Sequence, residues 1–97
     1  MRVLLGHVLD KIDIERRGVA IMLDAAYDDL PVGTNINLGD TLLIGRPDQS
    51  LIQTSVQGIE VRLRLTLLLP VSIKSHDIDV GSPVYWEPSC QEADRAG

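Results

Sequence analysis

His76, Asp77 and Asp79 lie close together late in this 97-residue chain and could bring an imidazole and two carboxylates to one metal ion. The same residues also make an ordinary polar turn. With two His and one Cys, the chain lacks the ligand density of a recognisable metal site. Asp28 and Asp29 pose a similar choice between a cation site and a solvated loop. We predict a polar turn and a solvated loop, with no bound metal or other cofactor.

Acid–base or nucleophilic catalysis has little support among the other side chains. His7 falls on a predicted strand, on the side away from Leu4 and Val8, where a half-exposed structural histidine is expected. Ser55 and Ser72 have no neighbouring His in the sequence that would activate a hydroxyl for attack. We therefore predict that the chain is not an enzyme.

The charge of the chain narrows the range of partners. Its formal net charge is −5 at pH 7. Nucleic-acid binding depends on clustered Lys and Arg, and the basic pairs are Arg16 with Arg17 and Arg62 with Arg64. We interpret both pairs as solvated turn and strand faces, so we expect no specific binding to nucleic acid.

Cysteine content and hydropathy suggest a compartment. The single Cys90 cannot form an internal disulfide, which favours a reducing environment. The apolar run at the N-terminus is too short for a secretory signal, and no segment approaches the length of a membrane helix. We expect a cytoplasmic protein without membrane contact.

Residues 51–69, LIQTSVQGIEVRLRLTLLL, contain the strongest structural pattern. Polar and apolar residues alternate in the second half, which is typical of a strand with one buried face. The buried side would carry Ile59, Val61, Leu63, Leu65 and Leu67. In the first half the buried side carries Ile52 and Val56 instead. The phase therefore changes by one residue at Gly58, and we predict a bulge or tight turn with positive φ there, in one long bent strand or two strands joined at a kink.

Shorter alternating segments extend this pattern over most of the chain. Strands are predicted at residues 2–14, 19–25, 41–44 and 84–86, separated by a charged turn at 15–18, a loop at 27–37 and a hairpin turn at 46–50. Pro70 is expected to end the central run or to lie on a sheet edge. In the first strand, Leu4, Gly6, Val8, Ile12 and Ile14 are predicted to share a face.

Six or seven strands separated by turn signals indicate an all-β barrel or sandwich. Phe is absent and there is one Trp, so the core must be built from Leu, Ile and Val. We predict one β-domain over residues 1–87. The polar tail at 88–97 has almost nothing to bury and is predicted to be disordered.

Three short motifs resemble the second domain of translation elongation factor GTPases. They are Arg17-Gly18, Leu38-Gly39-Asp40-Thr41 and residues 54–60 (TSVQGIE), in the order in which that family has them. Asp79-Val80-Gly81 is similar to the family's closing turn. The resemblance covers most of residues 8–87. It implies a closed β-barrel of six or seven largely antiparallel strands.

Two family features are missing from the chain. It has no phosphate loop of the form GxxxxGKS or GxxxxGKT, so no GTP binding is implied. In elongation factor Tu, the strand before the Arg-Gly turn carries a Glu-Asp pair and a Phe that receive the aminoacyl end of tRNA. Aligned through Arg17-Gly18, these positions hold Leu9, Asp10 and Ile12, of which only Asp10 matches. An aminoacyl-tRNA pocket is therefore not implied.

We predict a free-standing, non-catalytic barrel that acts as an interaction module and either forms a homodimer or binds a protein partner. The predicted interface is Leu67, Leu68 and Leu69. Alternation places Leu68 on the face that Arg62 and Arg64 show to solvent, and the run lies at the end of the longest strand.

The alternative is a module that binds a small molecule or an RNA end at the barrel rim, through Asp10, Ile12 and Arg17. An apolar patch on the outer wall would favour the interaction module. A concave pocket beside Asp10 and Ile12 would favour the alternative.

Overall fold

Seven β-strands and two single-turn 3₁₀ helices make up the regular structure of the computed structural model, which describes residues 2–88. The strands are β1 (Val3–Ile14), β2 (Gly18–Leu23), β3 (Thr41–Gly45), β4 (Leu51–Ser55), β5 (Gly58–Glu60), β6 (Thr66–Leu68) and β7 (Pro83–Glu87). The 3₁₀ helices span Tyr27–Asp29 and Ser75–Asp77. The described chain contains no α-helix, and no helix in it is long and apolar enough to cross a bilayer. The predicted all-β class is confirmed.

The strands form one antiparallel sheet in the order β4-β3-β7-β1-β2-β6-β5. The long β1 belongs to two parts of it, because its first residues pair with β7 and its last residues pair with β2. We define the first half-sheet as β4, β3, β7 and the start of β1, and the second half-sheet as the end of β1 with β2, β6 and β5. Within residues 2–88 no ladder joins the edge strands β4 and β5, so the hydrogen-bonded sheet is not closed into a barrel.

Two irregularities in β1 change which residues face the core. The register with β7 shifts between Leu4 and Gly6, and the register with β2 shifts between Val8 and Asp10. Each irregularity alters the strict alternation of the strand. The predicted shared face of Leu4, Val8 and Ile12 is therefore wrong, since Val8 is buried whereas Leu4 and Ile12 are exposed.

The end of the central stretch forms a hairpin. The chain reverses between β5 and β6, and residues 61–65 connect the two strands. Of the residues predicted to be buried, Leu65 and Leu67 are fully buried, but Ile59 is 36%, Val61 48% and Leu63 89% exposed. The prediction is wrong for Val61 and Leu63 because they lie in the connection, outside the β-ladders, and for Ile59 because it lies on the edge strand β5.

The kink that precedes this hairpin lies close to Gly58, as predicted, but its geometry differs. Gly58 is not among the residues with positive φ. A Cβ added to Gly58 would instead lie 3.1 Å from the Cβ of Leu68, its cross-strand partner. Crowding by Leu68, rather than a left-handed backbone, explains the glycine, and the predicted positive φ is wrong.

The turn between β1 and β2 depends on Gly18. Its φ is 115°, as the sequence predicted for a turn glycine, and an added Cβ would lie 2.1 Å from the backbone oxygen of Leu69. Leu69 N–H donates to the Val19 carbonyl at 2.9 Å. Glycine is therefore needed both for the backbone conformation and for the close approach of the chain that follows β6.

The core consists of Leu, Ile and Val with Trp86, as the composition predicted. Its buried members are Leu5, Val8, Val19, Ile21, Leu23, Ile36, Leu42, Ile44, Val56, Leu65, Leu67, Leu69, Ile78, Val84 and Trp86. The indole of Trp86 donates to Oδ2 of the buried Asp40 at 2.9 Å, and Asn37 N–H donates to the same oxygen at 2.9 Å. The Gly39-Asp40 turn is thereby joined to β7, and the buried carboxylate is satisfied.

The other predicted boundaries agree closely with the structure. The hairpin turn at 46–50 connects β3 and β4, and the closing strand at 84–86 corresponds to β7. The predicted tail at 88–97 lies outside the described residues, except for Pro88.

Candidate interaction surface

A row of four residues crosses the outer face of the second half-sheet. Ile12 pairs with Ala20, Ala20 with Leu68, and Leu68 with Gly58. Their neighbours Val19, Ile21 and Leu67 are fully buried, so the row lies on the face opposite the core. We define Ile12–Ala20–Leu68–Gly58 as the open row.

The open row alternates large and small residues, and this leaves hollows between its side chains. Ile12 is 56% exposed, although it lies in the ladder between β1 and β2. A shallow depression of about 280 Å³ lies over the small positions. Its lining includes Ile14, Arg17, Ala20, Gly58, Glu60 and Leu68. The face is apolar and uneven.

Charged side chains border the open row at both ends of the strands. The adjacent outer row is Asp10–Met22–Thr66–Glu60. Glu60 Oε2 lies 3.2 Å from Nε of Arg62. Arg64 and the exposed Leu63 line a second depression beside Met22, and Arg17 borders the opposite end. An apolar centre with a charged rim is the usual composition of a protein–protein interface.

The rim residues proposed from the sequence all lie on or beside this face. Asp10 and Ile12 occupy adjacent outer rows, and Arg17 lines the depression over the open row. The carboxylate of Asp10 accepts a hydrogen bond from Lys11 N–H at 2.8 Å. Neither of the two depressions described above is lined by Asp10 or Ile12. The three residues share a surface but do not surround a pocket there.

The predicted interface residues divide between the two faces. Leu67 and Leu69 are fully buried in the core, so their side chains cannot contact a partner in this conformation. Leu68 is partly exposed and belongs to the open row. Of the three leucines, Leu68 alone reaches the outer surface.

The first half-sheet carries an outer row of a different kind. Gln53 pairs with Leu43, Leu43 with Tyr85, and Tyr85 with Leu4. Leu43 is not part of the core cluster, yet only 6% of it is exposed. The guanidinium of Arg2 also lies 5.8 Å from the ring centroid of Tyr85. We define Gln53–Leu43–Tyr85–Leu4 as the covered row, since large neighbours shield its central leucine.

The histidines lie in ordinary polar settings. His7 N–H donates to Asp24 Oδ1 at 2.8 Å, and His7 Nδ1 lies 3.7 Å from Asp24 Oδ2. His76 Nε2 lies 3.6 Å from Asp77 Oδ1 on an exposed 3₁₀ turn. Among residues 2–88 no three His, Cys, Asp or Glu side chains come together as metal ligands. The turn that contains Asp79 therefore holds no ready-made metal centre.

The two serines considered as nucleophiles have no base beside them. Ser55 Oγ accepts a hydrogen bond from Gln57 Nε2 at 3.2 Å. Ser72 is exposed in a turn after Pro70. Across the described part of the chain, neither hydroxyl bonds to a histidine, so no Ser-His pair of the kind that activates a nucleophile is present there.

One carboxylate outside the surface is perturbed for a structural reason. Ser50 donates from its hydroxyl at 2.5 Å and from its backbone N–H at 3.0 Å to Oδ1 of Asp48. The hydroxyl hydrogen bond, followed by the backbone one, lowers the pKa of Asp48. Because the folded-state pKa is lowered, the hydrogen bonds from Ser50 to the ionised carboxylate stabilise the fold at neutral pH. That stabilisation is lost as pH falls through the folded-state pKa. Asp48 thus stabilises the β3–β4 turn.

The sequence reasoning did not identify Ala20, Met22 and Gly58 as parts of a surface. Ala20 and Met22 alternate with the buried Val19, Ile21 and Leu23, so their outward direction was available from the pattern. Their position beside Leu68 could not be read from the pattern, because it depends on the pairing of β2 with β6, which are far apart in the chain.

Comparisons of the chain with protein-family models, with curated proteins and with solved structures find no match. The resemblance to the second domain of elongation factor GTPases therefore rests on the sequence motifs alone, which are Arg17-Gly18, Leu38–Thr41, 54–60 and Asp79–Gly81, and it stays a prediction.

Proposed function

We propose that this protein is a non-catalytic interaction module, a barrel of the elongation-factor second-domain type, which binds another protein molecule through the open row. The observation that carries the proposal is the exposed, uneven apolar face around Ile12 and Leu68. The largest contiguous apolar patch on a soluble protein is often functional, and an apolar centre with a polar rim is the composition of protein–protein interfaces.

Hydrogen bonds made by Val56 and Gln57, between the edge strands β4 and β5, support the barrel. Val56 N–H donates to the Asp40 carbonyl at 3.0 Å, next to β3, and Gln57 N–H donates to the Leu68 carbonyl at 2.8 Å, in β6. The two residues that connect β4 to β5 thus bond to both ends of the sheet. On this proposal the chain itself closes the sheet, as one bent strand shared by both half-sheets.

The shape of the face supports a macromolecular partner over a small ligand. Small-molecule sites are concave and enclose most of the ligand, whereas the depression over Ala20 and Gly58 is shallow and open. The proposal includes no GTP binding and no specific nucleic-acid binding, in keeping with the acidic net charge of −5. A cytoplasmic location is also part of it and is supported by the single Cys90.

Site-specific photo-crosslinking in living cells tests the proposal. A diazirine amino acid replaces Ile12, which is 56% exposed on the open row, and in a matched control it replaces Val80, which is 61% exposed on a turn outside it. We expect protein adducts of defined mass from position 12 and none from position 80, because only position 12 would lie within a bound interface.

The nature of the adduct separates the alternatives. An adduct with RNA or a small molecule at position 12 would favour binding at the rim near Asp10. No adduct at position 12 above the level at position 80 would contradict the proposed function.

A further inference from the structure

We infer that the partner of the open row is a second copy of this chain, related to the first by a twofold axis that runs parallel to the strands between β2 and β6. The inference rests on the proposed function, because it names the partner of the same surface. Twofold dimers are the commonest assemblies and require a surface that is complementary to itself.

The sizes of the four side chains provide that complementarity. A twofold axis between β2 and β6 places β1 over β5 of the other copy and β2 over β6. Ile12 then falls on the partner's Gly58, and Leu68 falls on the partner's Ala20. Each large side chain meets a small one, and the hollows over Ala20 and Gly58 are filled.

The alternative axis, across the strands, gives a poorer fit. It places each strand over its own copy, so that Ile12 meets Ile12 and Leu68 meets Leu68, while Ala20 and Gly58 also face themselves. Large residues would collide where small ones leave voids. The pairing order of the strands therefore selects the axis parallel to them.

Charges on the adjacent row are compatible with the same axis. It places Asp10 near the partner's Glu60, but Glu60 holds Arg62 at 3.2 Å. The guanidinium of Arg62 has five N–H donors in a planar fork and can serve two carboxylates at once. At each end of the interface, Asp10 of one copy thus lies near the positively charged Arg62 of the other copy.

The area of the face sets the strength of the association. Two outward rows about 6.8 Å apart cross four strands at about 4.8 Å spacing, and flanking residues, Ile14 and Arg17 on one side and Leu63 and Arg64 on the other, widen the face to roughly 400 Å² on each copy. The pair would bury about 800 Å², below the roughly 1,200 Å² at the low end of specific interfaces. We therefore expect a reversible dimer with a Kd of about tens of micromolar.

Sedimentation equilibrium of the full chain from about 5 to about 500 µM, a range that brackets such a Kd, tests this assembly. We expect monomer at the low end and dimer at the high end. Ala20→Leu fills the hollow that receives Leu68 and should raise Kd at least about tenfold. Val80→Leu, an exposed change outside the face, is the matched control and should leave Kd unchanged.

A swap variant tests the contact itself. In Ala20→Leu with Leu68→Ala, the large and small positions exchange, and each still faces its complement on the other copy. This double variant should recover a Kd within about threefold of the original, as expected for coupled sites. Ile12→Ala removes an exposed side chain at little cost to the fold, and it should also raise Kd about fivefold or more.

Two results would overturn the inference. One is a monomer at all concentrations, and the other is a dimer that neither Ala20→Leu nor Ile12→Ala weakens. If the protein is a monomer but still gives crosslinks to a different protein at position 12, the partner is not a second copy of this chain, and the proposed function stands. A monomer with no crosslinks at position 12 would overturn both.

Discussion

The covered row and the open row are both apolar outer rows of one sheet, and they differ in the size of their residues. In Gln53–Leu43–Tyr85–Leu4, every member is large. In Ile12–Ala20–Leu68–Gly58, large and small members alternate. The end residues Leu4 and Ile12 are both exposed, at 46% and 56%, but the central Leu43 is only 6% exposed whereas the central Leu68 remains partly exposed.

This difference teaches that polarity alone does not decide whether a sheet face is available to a partner. Large cross-strand neighbours shield one another and make an apolar row self-sufficient. Small residues between large ones leave apolar surface that only another molecule can cover. The second half-sheet is therefore the better candidate for an interface, although both half-sheets carry outward leucines.

The pairing of β2 with β6, which builds the open row, depends most strongly on Gly18. Gly18→Ala places a Cβ 2.1 Å from the Leu69 backbone oxygen at a φ of 115°, so β2 and β6 cannot keep their pairing. We expect a loss of about 4 kcal/mol or more in the free energy of unfolding, measured by urea denaturation with Trp86 fluorescence.

The control for this variant is Gly39→Ala. Gly39 also has positive φ, at 89°, but an added Cβ meets no atom within 4 Å. Its cost should be limited to about 1 kcal/mol of backbone strain. Equal losses for the two variants would mean that the contact between Gly18 and Leu69 has no part in stability.

Leu67 and Leu68 are adjacent on β6 and lie on opposite faces of the sheet, so variants at the two positions distinguish the inner face from the outer one. Leu67→Ala opens a cavity in the core and should cost about 3 kcal/mol. Leu68→Ala, on the open row, should cost about 1 kcal/mol when the protein is dilute enough to be monomeric, since its side chain is partly exposed and its loss opens no cavity in the core. Urea midpoints near 1 µM measure both, and comparable losses would contradict the assignment of the two faces.

Leu43 tests whether the covered row is self-sufficient. Leu43→Ala removes a shielded side chain from between Tyr85 and Gln53, so we expect a loss of about 1–2 kcal/mol in the monomer. The same variant should leave dimerisation unchanged. A weakened dimer with an unchanged free energy of unfolding would indicate that the interface lies on the first half-sheet instead.

Gly58→Val tests the crowding between position 58 and Leu68. The new Cβ would lie 3.1 Å from the Cβ of Leu68, so Leu68 must shift, but the backbone is not left-handed and valine favours strands. We expect a loss of about 1–2 kcal/mol by urea denaturation, with weaker dimerisation because a hollow is filled. A loss above about 3 kcal/mol would indicate a strained backbone at Gly58 after all.

Much of the fold could be predicted from local pattern. The alternation of Val19, Ile21 and Leu23 set the buried face of β2, and the Pro-Asp sequence at 47–48 indicated the β3–β4 hairpin turn. The two register shifts in β1 could not be predicted, because a bulge is fixed by the strands on either side. The reversal between β5 and β6 was hidden for a similar reason, since the connection at 61–65 continues the alternation of a strand.

The candidate surface was predictable only in part. The outward direction of Leu68 followed from its place between Leu67 and Leu69. That Leu68 lies between Ala20 and Gly58, and that Ile12 joins the same row, depends on pairings between distant segments. The alternation of sizes across four strands is a property of the sheet and does not appear along any one segment.

Methyl NMR over a dilution series compares the two rows most directly. Methyl resonances of Ile12 and Leu68 report the open row, and those of Leu43 and Leu4 report the covered row. Between about 500 and 20 µM, a range that spans the expected Kd, the open-row resonances should shift together along one binding curve. Those of the covered row should stay fixed. Concentration-independent spectra, or shifts confined to Leu43 and Leu4, would contradict the assignment of the open row as the interface.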